Sequence, residues 1–294
     1  MYRQLQLRES INVEAPNPNP NPNDHPEMDE SDLLSDRAHQ IYLRLIGILQ
    51  WMVVLGRFDI CYSVSSLSRF SSAPKTGHLL RVKRIFGYLQ TVPDLSIKVD
   101  HRRLEGLPEP SATQQEEMLR RYPDANDERS SRMPLPLGKS LHVTVYSDSD
   151  HAHDQVTRRS ITGVLVFVGS TPVIAKSSRQ TSVETSTFSA EFNAARTASE
   201  MAIGLRFLLR SVGVPTIGPS TLLVDNEGVV SNASMFTSTL KKKHNAISFH
   251  RVRESIAAGH IALAHIGTKS NLADILTKPL DKQTFVALRK SIMG

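Results

Sequence analysis

The run LHVTVYSD, Leu141 to Asp148, sets Leu141, Val143 and Val145 in alternation with His142 and Thr144 and ends on a carboxylate. Period-two alternation marks a strand with one face turned to a core. Outward from this strand, an acid recurs beside or within an element three more times. Asp225 closes the short apolar run TLLVD, Glu191 lies inside a helical pattern, and Asp274 follows Ser270 and Asn271, which could cap a helix. Carboxylates gathered from separate elements cannot all stay ionised without cations among them. That is the signature of a divalent-metal site for phosphodiester hydrolysis, in which two cations sit roughly 3.5–4 Å apart.

Other readings compete at single positions. Asp225 followed by Asn226, taken alone, reads as a cap for the next helix. Asp150 and Asp154 rival Asp148 within DSDHAHD, and His151 and His153 suggest a transition-metal pair. With no third strong ligand nearby in sequence, a solvent-facing strand-end loop is the simpler reading of these histidines. Lys241, Lys242 and Lys243, followed by His244, form the densest basic cluster. It could hold phosphates, serve as a localisation signal or be a solvated loop. No P-loop, dinucleotide fingerprint or G-x-S-x-G elbow is present, which disfavours nucleoside-triphosphate hydrolysis, hydride transfer and serine-hydrolase chemistry.

After the Asp148 strand come ITGVLVFVG (161–169) and TPVIAKSS (171–178), joined by a Gly-Ser turn that suggests a hairpin. A long helix offers Phe188, Phe192, Ala195, Met201, Ala202, Leu205, Leu208, Leu209 and Val212 to a core and stops at Gly213. TLLVD, a helix near Glu227 to Ser234, a helix around Ser248 to Ala258, the strand IALAHI and terminal helices follow. Three antiparallel strands, then strand–helix alternation, predict an α/β mixed sheet covered by helices over residues 141–294.

Upstream, residues 1–36 carry the repeat PNPNPNPN and an acidic run, and read as a disordered, low-complexity stretch. Residues 37–100 form a helical block. Ile41, Leu45, Ile46, Leu49 and Val53 keep helical spacing, as do Ile60, Val64, Leu67 and Phe70, and Pro74 ends the second helix. A third helix, His78 to Gln90, sets Arg81, Lys83 and Arg84 opposite its apolar side, where a solvated face is expected. LSIKVD (95–100) alternates like an edge strand. Residues 101–140 read as a linker with one short helix near Gln114 to Arg121.

The net charge is +6, and residues 141–294 hold all of it, with 17 Lys/Arg against 11 Asp/Glu. Cys61 is the only cysteine, so an intrachain disulfide and a cysteine zinc cluster are excluded, and an intracellular setting follows. The start MYRQLQLRES lacks a signal-peptide core. IYLRLIGILQWMVVLG (41–56) contains Arg44 and Gln50 and is short for a membrane span, so a buried helix is expected.

The segments YSDSDHAHD, TRRSITGVLVFVG, SSRQTSVETSTFSAEF, LLVDN, KKKHNAISFHRVRE and NLADILTKPL together resemble the ribonuclease H domain that ends the polyprotein of copia-type LTR retrotransposons. YLRLIGILQWMVVLGRFDICYSVSSLSRF and HLLRVKRIFGYLQ resemble the region after the reverse-transcriptase palm of the same polyproteins. The resemblance implies a ribonuclease H-like fold with a five-stranded mixed sheet, and endonucleolytic cleavage of the RNA strand of RNA–DNA hybrids. It places the family's four carboxylates on Asp148, Glu191, Asp225 and Asp274, which would be catalytic and hold two Mg²⁺, with Mn²⁺ as an alternative. His244 is the candidate protonating group. Lys241, Lys242 and Lys243, with the helix Leu79 to Gln90, would hold the duplex.

Ser189 stands where many members have Glu, a position outside the metal set. The polymerase motif Y-x-D-D occurs nowhere in the chain, and Met1 falls late in what would be the polymerase, so a fragment or degraded copy is expected. The implied partners are RNA–DNA hybrid and other parts of the polyprotein, with no membrane, in a cytoplasmic particle or the nucleus. A non-catalytic nucleic-acid-binding remnant is the alternative. An integrase-like nuclease fits less well, because its usual order of Asp, Asp, Glu does not match Glu191 preceding Asp225.

Overall fold

The computed structural model describes residues 19–21, 25–127, 132–235 and 246–294. Its helices in chain order are α1 (Asp36–Val54), α2 (Cys61–Ser68), α3 (Thr76–Thr91), α4 (Gln114–Leu119), α5 (Thr187–Ser211), α6 (Glu227–Ser234), α7 (Ala246–Ala257) and α8 (Lys282–Ile292). The strands are β1 (Val143–Asp150), β2 (Ile161–Val168), β3 (Thr171–Arg179), β4 (Ser220–Val224) and β5 (Ile261–His265). Two compact units result: Met1–Ile97 with Asp154–Arg158 and Lys278–Gly294, and Lys98–His153 with Arg159–Thr277. This partition differs from the linear one drawn from sequence, since α8 counts with the helical unit and residues 101–140 with the sheet.

The helical unit buries Tyr42, Leu45, Ile46 and Leu49 of α1 with Val64 and Leu67 of α2 and Val82, Ile85, Phe86 and Leu89 of α3. Leu45, Ile46, Leu49, Val64 and Leu67 are positions that the helical period selects, whereas Tyr42 is not, and Ile41, Val53 and Phe70, which it also selects, are only half-buried. Buried Asp59 accepts from Arg57 at 3.0 and 2.8 Å and from the Tyr88 hydroxyl at 2.5 Å, and Arg289 of α8 donates to Tyr88 at 3.2 Å. A buried charge needs such partners, because removing one leaves it uncompensated. The basic side of α3 is not the solvated face that its sequence suggests. Arg81 pairs with Asp29 at 2.5 Å and Arg84 donates to the Asn19 carbonyl at 3.2 Å, so the segment preceding α1 covers it. Residues 95–100 form no strand. Ser96 instead exchanges backbone hydrogen bonds with Gly294 at 3.3 and 3.1 Å, and Val99 is 90% exposed, so the alternation faces no core.

The sheet unit carries the expected five-stranded mixed sheet, in the order β3-β2-β1-β4-β5. β1 pairs antiparallel with β2 and parallel with β4, β2 pairs antiparallel with β3, and β4 pairs parallel with β5. β1 and β2 are buried on both faces, which explains the nearly continuous apolar reading of β2. Gly169 turns the β2–β3 hairpin at φ 64°, a left-handed conformation that glycine adopts without strain. α5 lays Phe192, Ala195, Ala198, Ala202 and Leu205 on the core beside Val145, Val164 and Leu222, and its alanines let the helix sit close to the sheet. The Gly213 amide donates to the Arg210 carbonyl at 3.0 Å as the helix ends, with φ 78°.

The stretch expected to be a linker contributes to this core. Met118 of α4 is fully buried in it, and the Gln114 side chain exchanges hydrogen bonds of 2.7 and 2.9 Å with the backbone of Leu263 on β5. The amide thereby meets part of the edge-strand hydrogen bonding that a further strand would otherwise satisfy.

Candidate metal centre

Asp148 sits inside β1, two residues short of its end, rather than closing the strand as the sequence suggests. Its cross-strand partner is Gly163 on β2. On the other side β4 runs parallel to β1 with Ser147 level with Val224, so Asp148 and Asp225, the residue that follows β4, come close together. The cap of α6 is Asn226, whose side chain accepts from the Val229 amide at 3.2 Å. The capping reading of Asp225 is therefore overturned: the adjacent amide does that work.

Glu191 stands in the second turn of α5, whose N-cap Ser186 accepts from the Ser189 amide at 3.3 Å. The rings of Phe188 and Phe192 lie 5.4 Å apart and anchor this turn. Buried Gln180 ties it to the sheet, donating to the Ala190 carbonyl at 3.0 Å and to Thr162 on β2 at 2.9 Å. Ligand oxygens of Asp148, Glu191 and Asp225 all lie within 4.8 Å of one another. Asp148 and Glu191 are each 3% exposed, and Asp225 is half-buried.

Oε1 of Glu191 accepts from the Ser149 amide at 3.2 Å and the Ser149 hydroxyl at 2.9 Å. Oε2 is buried without a hydrogen-bond partner among the described residues. Burial first, then the nearby charges of Asp148 and Asp225, hold the Glu191 carboxyl well above the usual carboxylate range, against the opposing pull of Ser149. A buried acceptor left unsatisfied costs about 1–3 kcal/mol, more when charged. Three hard oxygen donors and one orphaned oxygen fit a divalent cation of the Mg²⁺ or Mn²⁺ kind, which would relieve burial, repulsion and orphaning together.

Asp274 lies in a 3₁₀ segment, Leu272–Leu276, where a helix was expected, and is 8% exposed. It does not belong to the group of carboxylates gathered within 4.8 Å. The segment is bound to β1 at both ends. Asn271 donates its side-chain amide to the Ser147 carbonyl at 3.0 Å and accepts from the Ala273 amide at 3.1 Å. The Thr277 hydroxyl contacts Asp148 Oδ2 and also lies 3.2 Å from the Asp274 carbonyl.

The rival acids are engaged elsewhere. Asp150 Oδ2 is 2.6 Å from His153 Nδ1, and Asp154 accepts from Arg69 at 2.9 Å. His151 Nε2 is 3.0 Å from the Glu184 carbonyl, and His153 is buried, so the solvent-facing loop expected for these histidines is not what forms. Lys241, Lys242, Lys243 and His244 lie outside the described residues. Ser149, Gly163 and Thr277 escape a reading from sequence, since a lone serine, glycine or threonine carries no periodic or charge signal.

No family model matches the chain. The retrovirus-related Pol polyprotein from transposon RE1 of Arabidopsis thaliana is 29% identical over 245 residues, covering 83% of this chain and 14% of the relative. The corresponding polyprotein from transposon RE2 of the same plant is 26% identical over 251 residues, covering 85% of this chain and 15% of the relative. Among solved structures, the N-terminal RNase H domain of a Mycobacterium tuberculosis protein matches with a TM-score of 0.37 and 16% identity, over 52% of this chain and 99% of that one. Homology to transposon Pol polyproteins thus runs along most of this chain, which spans about one seventh of their length, 14% of the first.

Proposed function

We propose that this relative of transposon Pol polyproteins is a ribonuclease of the H type, cleaving the RNA strand of RNA–DNA hybrids endonucleolytically with divalent metal. The observation that carries the reading is the triad Asp148, Glu191 and Asp225, buried at its first two members, with its unpartnered Glu191 oxygen. A buried acid cluster without cations is costly, and phosphodiester hydrolysis is the reaction class that such a cluster serves.

In this reading Asp148, within β1, and Asp225, just past the end of the parallel β4, would hold cations from the sheet. Glu191, fixed at Oε1 by Ser149, faces them from α5. Asp274 completes the set as a fourth carboxylate; its support is its place on the segment bound to Ser147 and Asp148. Bound Mg²⁺, or Mn²⁺ in its place, would supply an activated water and stabilise the leaving oxygen. Lys241, Lys242 and Lys243 contact phosphates, and His244 returns a proton to the leaving group. The hybrid is recognised by backbone shape and 2′-hydroxyls, with little sequence preference.

Labelled RNA–DNA hybrid, duplex RNA and duplex DNA, each incubated in Mg²⁺ or EDTA, test this. Hybrid alone is expected to be cut, and only in Mg²⁺. A folded protein that leaves the hybrid intact in Mg²⁺ removes the enzyme reading, and hybrid binding without cleavage would then favour a non-catalytic remnant. Cleavage that survives Asp225→Asn would refute the assigned site.

A further inference from the structure

The proposed metal set gives Asp274 a task but leaves the neighbouring residues of NLADILTKPL without one. Two of them, Asn271 and Thr277, are fully buried polar side chains, and both reach β1 at consecutive residues. Asn271 donates to the Ser147 carbonyl at 3.0 Å, and the Thr277 hydroxyl contacts the Asp148 carboxylate itself. The single hydroxyl proton has two acceptors within reach, Asp148 Oδ2 and the Asp274 carbonyl at 3.2 Å, and the carboxylate contact is the shorter. A charged acceptor also forms the stronger bond.

The strand opposite makes room for this contact. A Cβ on Gly163, the cross-strand partner of Asp148, would come within 2.6 Å of the Thr277 methyl, 2.9 Å of the Ala273 carbonyl and 3.0 Å of Leu276 Cβ. The missing side chain at Gly163 therefore lets the 3₁₀ segment settle on the sheet directly beside Asp148. A carboxylate held at one oxygen presents the other in a fixed direction, which is how partners behind a metal ligand tune its affinity.

We infer that Thr277 is a positioning residue for the metal centre: its hydroxyl locks the Asp148 carboxylate in its metal-binding orientation, and Gly163 provides the space for it. The inference rests on the metal-dependent reading of the triad. It makes 271–277 a clamp on β1 in addition to a carrier of Asp274.

The test is isothermal titration of Mn²⁺ into the full chain and its Thr277→Val, Thr277→Ala and Thr277→Ser variants, alongside hybrid cleavage resolved into kcat and KM. Removal of the hydroxyl is expected to weaken Mn²⁺ binding and lower kcat by about 10–100-fold, leaving KM for the hybrid unchanged. Thr277→Ser, which keeps the hydroxyl, is expected to restore both to near the wild-type values. Mn²⁺ affinity within twofold of wild type in a folded Val or Ala variant overturns the inference. So does a serine variant as impaired as valine, or loss of the wild-type circular-dichroism spectrum in both Val and Ala, which would make Thr277 a folding residue. The binding readout stands apart from activity. A wild-type chain that binds Mn²⁺ through Thr277-held Asp148 yet cuts no hybrid would sink the ribonuclease reading while leaving this one intact.

Discussion

Glu191 concentrates the conflict on which the site depends. It is buried, faces two other acids, and has one oxygen without a hydrogen-bond partner. A carboxyl whose folded-state pKa is raised contributes stability that is fully present below the unfolded glutamate value and is lost as pH rises through the folded value. In EDTA, the melting temperature is therefore expected to fall as pH climbs from about 4.5, the ordinary glutamate value, through the raised Glu191 pKa. Mg²⁺ is expected to reduce that fall. Glu191→Gln is expected to raise the EDTA melting temperature at pH 8 while abolishing metal-dependent cleavage. Thermal melts of both proteins across pH check this, and an unchanged or lower melting temperature for the variant would contradict it. Sequence reading reached the identities of these acids because each carries chemistry in its own letter. It could not reach Ser149 or Thr277, whose roles exist only once β1, α5 and the 271–277 segment have folded together.

Elements were legible where burial imposes a period. β1, β2 and α5 follow their apolar patterns to within a few residues of the expected limits, because a two-sided sheet and a helix packed on it require those patterns. LSIKVD shows the converse, since alternation alone makes no strand without a ladder partner. Residues 101–140 look like a linker because α4 is too short to show a period, although Gln114 and Met118 bind it to the core. Gln114→Ala is expected to destabilise the sheet unit by about 1–3 kcal/mol, the cost of orphaning buried backbone groups of Leu263. Amide exchange at β5 should rise with it, and a change under about 0.5 kcal/mol, within the range of ordinary surface substitutions, would show that α4 is dispensable.

At Asp29, burial opposes the charge, but bonds from Ser31 and from Arg81 on α3 outweigh it and hold the carboxyl at about 2. A depressed carboxyl contributes stability present above its unfolded value of about 4 and lost as pH falls through about 2. Asp29→Asn is expected to lower the melting temperature at pH 7 and to match wild type near pH 2. Equal melts at pH 7 would mean that the contact between the N-terminal segment and α3 carries no stability.

At the scale of the whole molecule, homology to Pol polyproteins covers most of the chain, and the buried acid set lies where the sheet and α5 converge. Among the described residues no helix is long and apolar enough to cross a membrane. Two compact units coexist in a chain whose apolar patterns had suggested a helical block followed by a separate sheet domain. Contacts distant in sequence, such as Arg289 with Tyr88, draw the C-terminal helix into the helical unit, and no local pattern could have announced them. Whether Asp148, Glu191 and Asp225 form a divalent-metal centre is decided by the anomalous difference map of a crystal grown with Mn²⁺. A peak within coordinating distance of all three carboxylates is the expected result. A map with no peak there, or with its strongest peak between Asp150 and His153, would contradict it.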